Sequence, residues 1–148
     1  MKSSIRILFF ISLVAFLSSF NINKNNQNLI NLKKSETACD VYLEFKNNTN
    51  IVVTEVTMET TSDDENHKNI EVGGSRYSTL IYNSGLAAFT VILPNTHPAG
   101  RLELYKGNTI IQCQTVYASP NYAYEVFFTP ECGAVYTLVY RKTNSPCP

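Results

Sequence analysis

From Cys39 onward, polar and apolar residues alternate with a period of two through most of the chain. Val41, Leu43 and Phe45 alternate with Asp40, Tyr42, Glu44 and Lys46, the pattern of a strand with one face in a core and the other in water. Asn47, Asn48, Thr49 and Asn50 form a turn signal. Beyond it Val52, Thr54, Val56 and Met58 alternate with Glu55, Thr57 and Glu59, which predicts a hairpin with the preceding strand. The polar run over 60–69 predicts a loop. Ile70 and Val72 then lead to Gly73 and Gly74, a pair suited to a two-residue hairpin turn, and a further strand follows over 76–82. The stretch 86–93 is almost wholly apolar, which predicts a central strand covered on both faces and the middle of the core; Pro94 ends it.

Strands are also predicted over 101–105, 109–117, 122–129 and 134–141, with Val126, Phe127, Phe128, Tyr136, Leu138 and Val139 supplied to the interior. Eight or nine short strands, evenly spaced by turn signals and with no helical period among them, predict an all-β fold: an antiparallel two-sheet sandwich over 38–142. A small β-barrel is the alternative. The strand count is compatible with an immunoglobulin-like architecture, but the chain has no Trp and therefore lacks the buried indole of antibody-type domains.

The first residues read differently. Lys2 and Arg6 precede the run 7–17, which is apolar except for Ser12, the sequence of a secretory signal peptide over 1–19. That run is too short to cross a bilayer as a helix, although Leu17 near the expected cleavage point keeps an uncleaved membrane anchor as the alternative. Residues 20–37 are rich in Asn and Lys without sustained periodicity and are expected to be a flexible spacer.

Charge narrows the partners. The 148 residues carry 12 basic and 12 acidic side chains with no basic cluster, which argues against nucleic acid or an anionic membrane, since both require massed cations. Cys39, Cys113, Cys132 and Cys147 form an even set without C-x-x-C spacing, so disulfides in an exported protein are expected rather than a zinc site. Four cysteines allow three connectivities. Strict up-and-down alternation of strands would put Cys39 and Cys132 at one end and leave Cys113 for Cys147, tying down a C-terminal tail over 143–148.

Catalytic motifs are missing from the pattern. The only histidines, His67 and His97, fall in predicted loops; there is no H-E-x-x-H, no G-x-S-x-G and no Gly-rich phosphate loop. No cofactor is expected. Asp63 and Glu65 lie in the single acidic run and could contribute oxygens to a hard cation, but the run lacks the spacing of a calcium loop and reads as a solvated connection. Asn47, Asn48 and Thr49 spell an N-glycosylation sequon. Tyr117 and Tyr122 flank the turn that holds Asn121, and Asn95 and His97 lie in a loop expected at the same end. Aromatic rings with polar tips are efficient contact residues, so these five are the candidate ligand-binding set.

The expectation is a secreted or extracytoplasmic recognition module, in the periplasm or at the cell surface, without catalysis. Its partner would be an extracellular protein or a glycan, with a membrane engaged only through an uncleaved signal segment. A small secreted hydrolase and a purely structural envelope protein are the alternatives. A His hydrogen-bonded to Ser, Thr or Cys inside a cleft would favour the hydrolase.

Overall fold

The computed structural model describes residues 37–118 and 123–147, all in strands, turns and loops. The expectations for the signal segment and most of the spacer lie outside the described residues, as do Asn121 and Tyr122. Nine strands follow in chain order: β1 (Cys39–Asn48), β2 (Val53–Thr60), β3 (Asp64–Ile70), β4 (Ser75–Tyr82), β5 (Ala87–Ile92), β6 (Gly100–Lys106), β7 (Thr109–Val116), β8 (Ala123–Phe128) and β9 (Val135–Lys142). They form a five-stranded sheet, β4-β1-β9-β6-β7, and a four-stranded sheet, β3-β2-β5-β8. The two sheets do not close into a barrel, so the sandwich stands.

Strand order corrects two expected hairpins. β1 and β2 lie in different sheets, because β1 pairs with β4 and with β9 while β2 pairs with β3 and β5. The 47–50 turn therefore carries the chain across the sandwich. Gly73 and Gly74 likewise join β3 in one sheet to β4 in the other. Gly73 has a φ of 71°, open to a residue without Cβ, and Gly74 N–H closes a turn on the Glu71 carbonyl at 2.9 Å. The first and last strands run parallel, Tyr42 to Asn48 beside Val135 to Arg141, whereas the remaining pairings described are antiparallel. Adjacent first and last strands depart from the immunoglobulin constant-type order, so the likeness to that family is one of architecture.

The inward faces supply Val41, Leu43 and Phe45 from β1, Val56 and Met58 from β2, and Phe89 and Val91 from β5. Leu102 and Leu104 from β6, Val126 and Phe128 from β8, and Tyr136, Leu138 and Tyr140 from β9 complete one continuous core. Burying each of these large side chains contributes roughly 1.5–3 kcal/mol. β5 is central in its sheet, although its flank Leu86 is exposed. Alternation also corrects Phe127, which points outward and is 49% exposed, because Val126 and Phe128 already take the inward positions of β8. On β2, Val53 rather than Val52 is buried, beside Ile70. Between Lys68 and Ile70 the backbone of Asn69 turns left-handed (φ 52°), breaking the simple period at that end. Gly100 lets β6 approach β9, since a Cβ there would collide with the Arg141 carbonyl and the Tyr140 ring.

Disulfides join Cys39 to Cys132 and Cys113 to Cys147. These are the pairs that strand parity favours: Cys39 opens β1, and Cys132 precedes β9, which runs the same way. The second bridge brings the C-terminal tail back to β7, where Cys147 N–H donates to Thr115 Oγ1 at 3.2 Å. Two intramolecular disulfides suggest an oxidising, extracytoplasmic environment.

Candidate functional site

The loop after β5 and the end of β7 meet at one end of the sandwich. Tyr124 on β8 donates its hydroxyl to the Tyr117 carbonyl at 3.2 Å, and its ring meets the His97 ring edge-on, centroids 6.2 Å apart. Tyr117 is 71% exposed and Asn95 is exposed. His97 corrects the expectation of an accessible ring: it is 7% exposed, wedged beneath the loop with Nδ1 3.3 Å from the Pro98 carbonyl. Tyr140 donates to that same carbonyl at 2.8 Å, and burial pushes the Tyr140 hydroxyl pKa up to about 12. His97 is therefore part of the packing under this end.

The predicted loop over 60–69 is largely β3, an edge strand that is polar on both faces. His67 projects inward from it, and its Nε2 lies 2.9 Å from Ser78 Oγ on β4. This is a His–Ser contact, but Ser78 is buried opposite Leu43 on β1, out of reach of a substrate. Glu65 approaches the same Nε2 at 3.7 Å, rather than orienting the ring from its far nitrogen as a triad acid does. The pair instead ties the two sheets together along their β3/β4 seam. Asp63 works at the same seam: its Oδ2 accepts from Ile81 N–H at 3.2 Å, while Thr60 donates to the Ile81 carbonyl at 2.6 Å. Together they satisfy backbone groups on the free edge of β4. Among the described residues no group of three or more His, Cys, Asp or Glu side chains is arranged to hold a metal ion.

Asn47 is fully buried where β1 ends. Its amide donates to the carbonyls of Ile51, Ile70 and Glu71 at 2.7–3.0 Å, and its Oδ1 accepts from the backbone and hydroxyl of Thr49. The sequon nitrogen is consumed in joining three chain segments, so this fold has no room for a glycan there.

A second arrangement, absent from the predicted site, occupies the outer face of the five-stranded sheet. A shallow groove of about 320 Å³ is lined by Lys46 and Asn48 of β1, Thr137, Val139 and Arg141 of β9, and Tyr105 with Gly107 at the end of β6. In the β1/β9 register Lys46 stands beside Val139 and Asn48 beside Arg141, which sets the two cations diagonally across an apolar floor. Val139, expected in the interior, is buried on this outer face instead, because Leu138 and Tyr140 take the inward positions.

Two carboxylates anchor the cations from below. The Glu44 side chain is 7% exposed and its Oε2 accepts from Lys46 Nζ at 3.0 Å and from Thr137 Oγ1 at 2.9 Å. The Glu103 side chain is 5% exposed. It accepts from Arg101 at 2.9 Å, from Arg141 Nε at 2.9 Å and from the Tyr105 hydroxyl at 2.8 Å. Burial alone would raise both carboxyl pKa values. For Glu44 it is outweighed by the Tyr77, Lys46 and Thr137 side chains, and for Glu103 by Tyr105, Arg141 and Arg101, so both stay below the ordinary 4.5. Tyr105 and Glu103 in turn hold Arg141 more firmly protonated. Among the described residues three buried side-chain polar atoms lack a hydrogen-bond partner, and two of them, Glu44 Oε1 and Arg101 Nε, belong to this cluster, the third being His97 Nε2. Tyr77 stands opposite Glu44 on β4, so the fold brings its own donor to this carboxylate.

The signal for this groove in the sequence is the pairing of opposite charges two residues apart, Glu44 with Lys46 and Arg101 with Glu103, on one face of each strand. Comparison with protein-family models, with curated proteins and with solved structures finds no match to this chain.

Proposed function

We propose that this protein is an exported recognition module that holds its ligand in the groove on the outer face of the five-stranded sheet and performs no catalysis. The observation that carries the reading is the pair of half-exposed cations, Lys46 and Arg141, that line one groove and are each fixed by a buried carboxylate. Anchored side chains give up little further freedom when a ligand arrives, which is how a binding surface gains affinity without extra area. A signal segment over 1–19 and two disulfides support export. The loop end with Tyr117 and Asn95 is a second reading, favoured by the exposure of the Tyr117 ring.

The test is a ligand screen by NMR on the disulfide-intact protein with panels of small saccharides and short peptides, following protein amides and ligand signals together. Saturable shifts of the Lys46, Thr137 and Arg141 amides with the ligand unchanged are the expected result. Shifts confined to Asn95 and Tyr117 would move the site to the loop end. Conversion of any ligand would overturn the non-catalytic reading in favour of a hydrolase.

A further inference from the structure

Resting on that reading, we propose that the groove on the outer face of the five-stranded sheet takes an acidic saccharide, its carboxylate between Lys46 and Arg141 and its hydroxyls on Asn48, Thr137 and Tyr105. Charge comes first. The buried pair Glu44 and Glu103 is surrounded by Lys46, Arg101 and Arg141, three cations against two carboxylates, so the cluster keeps one uncompensated positive charge. Arg141 spends only Nε on Glu103. Tyr105 also meets its guanidinium, and the half-exposed part left toward the groove has the planar fork that grips a carboxylate.

The rest of the lining selects for hydroxyls. Asn48 presents a donor and an acceptor, Thr137 and Tyr105, whose hydroxyl hydrogens go to Glu44 and Glu103, present acceptors, and Val139 offers a small apolar floor for the C–H face of a sugar ring. Glu44 lies beneath this lining, and its Oε2 holds two groove residues, Lys46 and Thr137, in place. A carboxylate-bearing sugar supplies in one molecule the anion for the cations and the hydroxyl donors for these acceptors.

An acidic peptide fits less well. The three strands beneath the groove, β1, β9 and β6, are all interior to the sheet, so their backbone groups are spent in ladders on both sides. A peptide lying there would find side chains but no backbone partners for its own N–H and C=O groups, which extended peptides obtain at sheet edges. A saccharide carries no such requirement.

The probes are trigalacturonate and sialyllactose, with methyl-esterified trigalacturonate and lactose as neutral counterparts and an acetylated, amidated tri-glutamate peptide. Each is titrated to millimolar concentration into the disulfide-intact protein while amide shifts are read. At least one acidic saccharide should shift the Lys46, Asn48, Thr137 and Arg141 amides, and its neutral counterpart should bind about tenfold more weakly or not at all. Arg141→Gln and, separately, Lys46→Gln should each weaken the acidic saccharide by about tenfold while amides away from the groove stay in place. Equal binding of acidic and neutral sugars, or binding of the tri-glutamate peptide in their stead, overturns the acidic-saccharide assignment and leaves the recognition reading standing. Groove amides unmoved by every probe in this set and by the wider screen overturn both.

Discussion

On the outer face of the four-stranded sheet, Glu55 and Lys68 lie 3.8 Å apart on neighbouring strands, with Asn66 bridging Glu55 and Thr57 at the surface. On the outer face of the five-stranded sheet, Glu44 and Glu103 occupy equivalent outward positions yet are almost completely covered. Both faces alternate charge and small polar groups along the sequence. They differ in what their neighbours do: β1 and β6 flank β9, whose Thr137, Val139 and Arg141 lie over the carboxylates, whereas Glu55 on β2 stands between Ile92 of β5 and Lys68 of the edge strand β3, beyond which no strand of the sheet lies among the described residues. A polar outward position is therefore solvated or desolvated according to the strand beside it, and desolvated charge is costly enough to need a reason.

The largest expected break of this symmetry is at Glu103. Glu103→Ala removes the acceptor shared by Arg101, Arg141 and Tyr105 and should lower stability by about 2–4 kcal/mol. Glu125→Ala, on the exposed face of β8, should change it by no more than about 0.5 kcal/mol. Urea unfolding of both variants decides the matter; equal losses would mean that the two faces are energetically alike.

Acid sharpens the same contrast. The Glu44 and Glu103 carboxyls titrate below the ordinary 4.5 when folded, so their charged forms contribute stability that is complete above that value. The contribution is lost as pH falls through the depressed folded-state values. Between about pH 5 and about pH 3 the native protein should lose stability more steeply than the double variant Glu44→Gln, Glu103→Gln. Parallel losses in urea midpoint would contradict the assignment.

The smallest effect separates two lysines. Lys46→Ala takes a donor from a buried carboxylate and should cost about 1 kcal/mol, while Lys68→Ala breaks an exposed pair and should cost less than about 0.5 kcal/mol. Thermal or urea midpoints measured side by side would show a reversed order if the exposed pair were the stronger.

Period-two alternation made the sandwich legible, because an inward apolar residue at every second position announces both the strand and its buried face. β3 escaped that reading: Asp64, Glu65, Asn66 and Lys68 put polar groups on both of its faces, and it is recognisable as a strand only through its pairing with β2. The pairing of β1 with β4 and β9 also escaped it, since turn residues mark where the chain bends without saying whether it returns in the same sheet. The cysteine pairs were within reach because parity alone aligns Cys39 with Cys132. The charge pairs at 44/46 and 101/103 were visible but did not locate the groove, because Glu44 is covered by Thr137, 93 residues away, and such a pair reads alike whether its carboxylate is covered or stays in water.

The two disulfides also decide how the molecule answers a pull on its ends. Tension applied before Cys39 passes through the bridge directly to Cys132, and tension applied after Cys147 is shared with Cys113, so β2 to β6 sit outside the loaded path. Two stretches join the anchor points, Cys132 to Cys147 directly and Cys132 back to Cys113 through the second bridge; the direct one is the shorter, and drawn out fully it spans about 50 Å. That stretch contains β9, which is flanked on both sides by β1 and β6, so the load falls on its two ladders in shear, with their bonds strained together rather than opened one after another. A protein joined in this way behaves under load as a short, stiff link, and most of its chain cannot be unravelled until a disulfide is reduced.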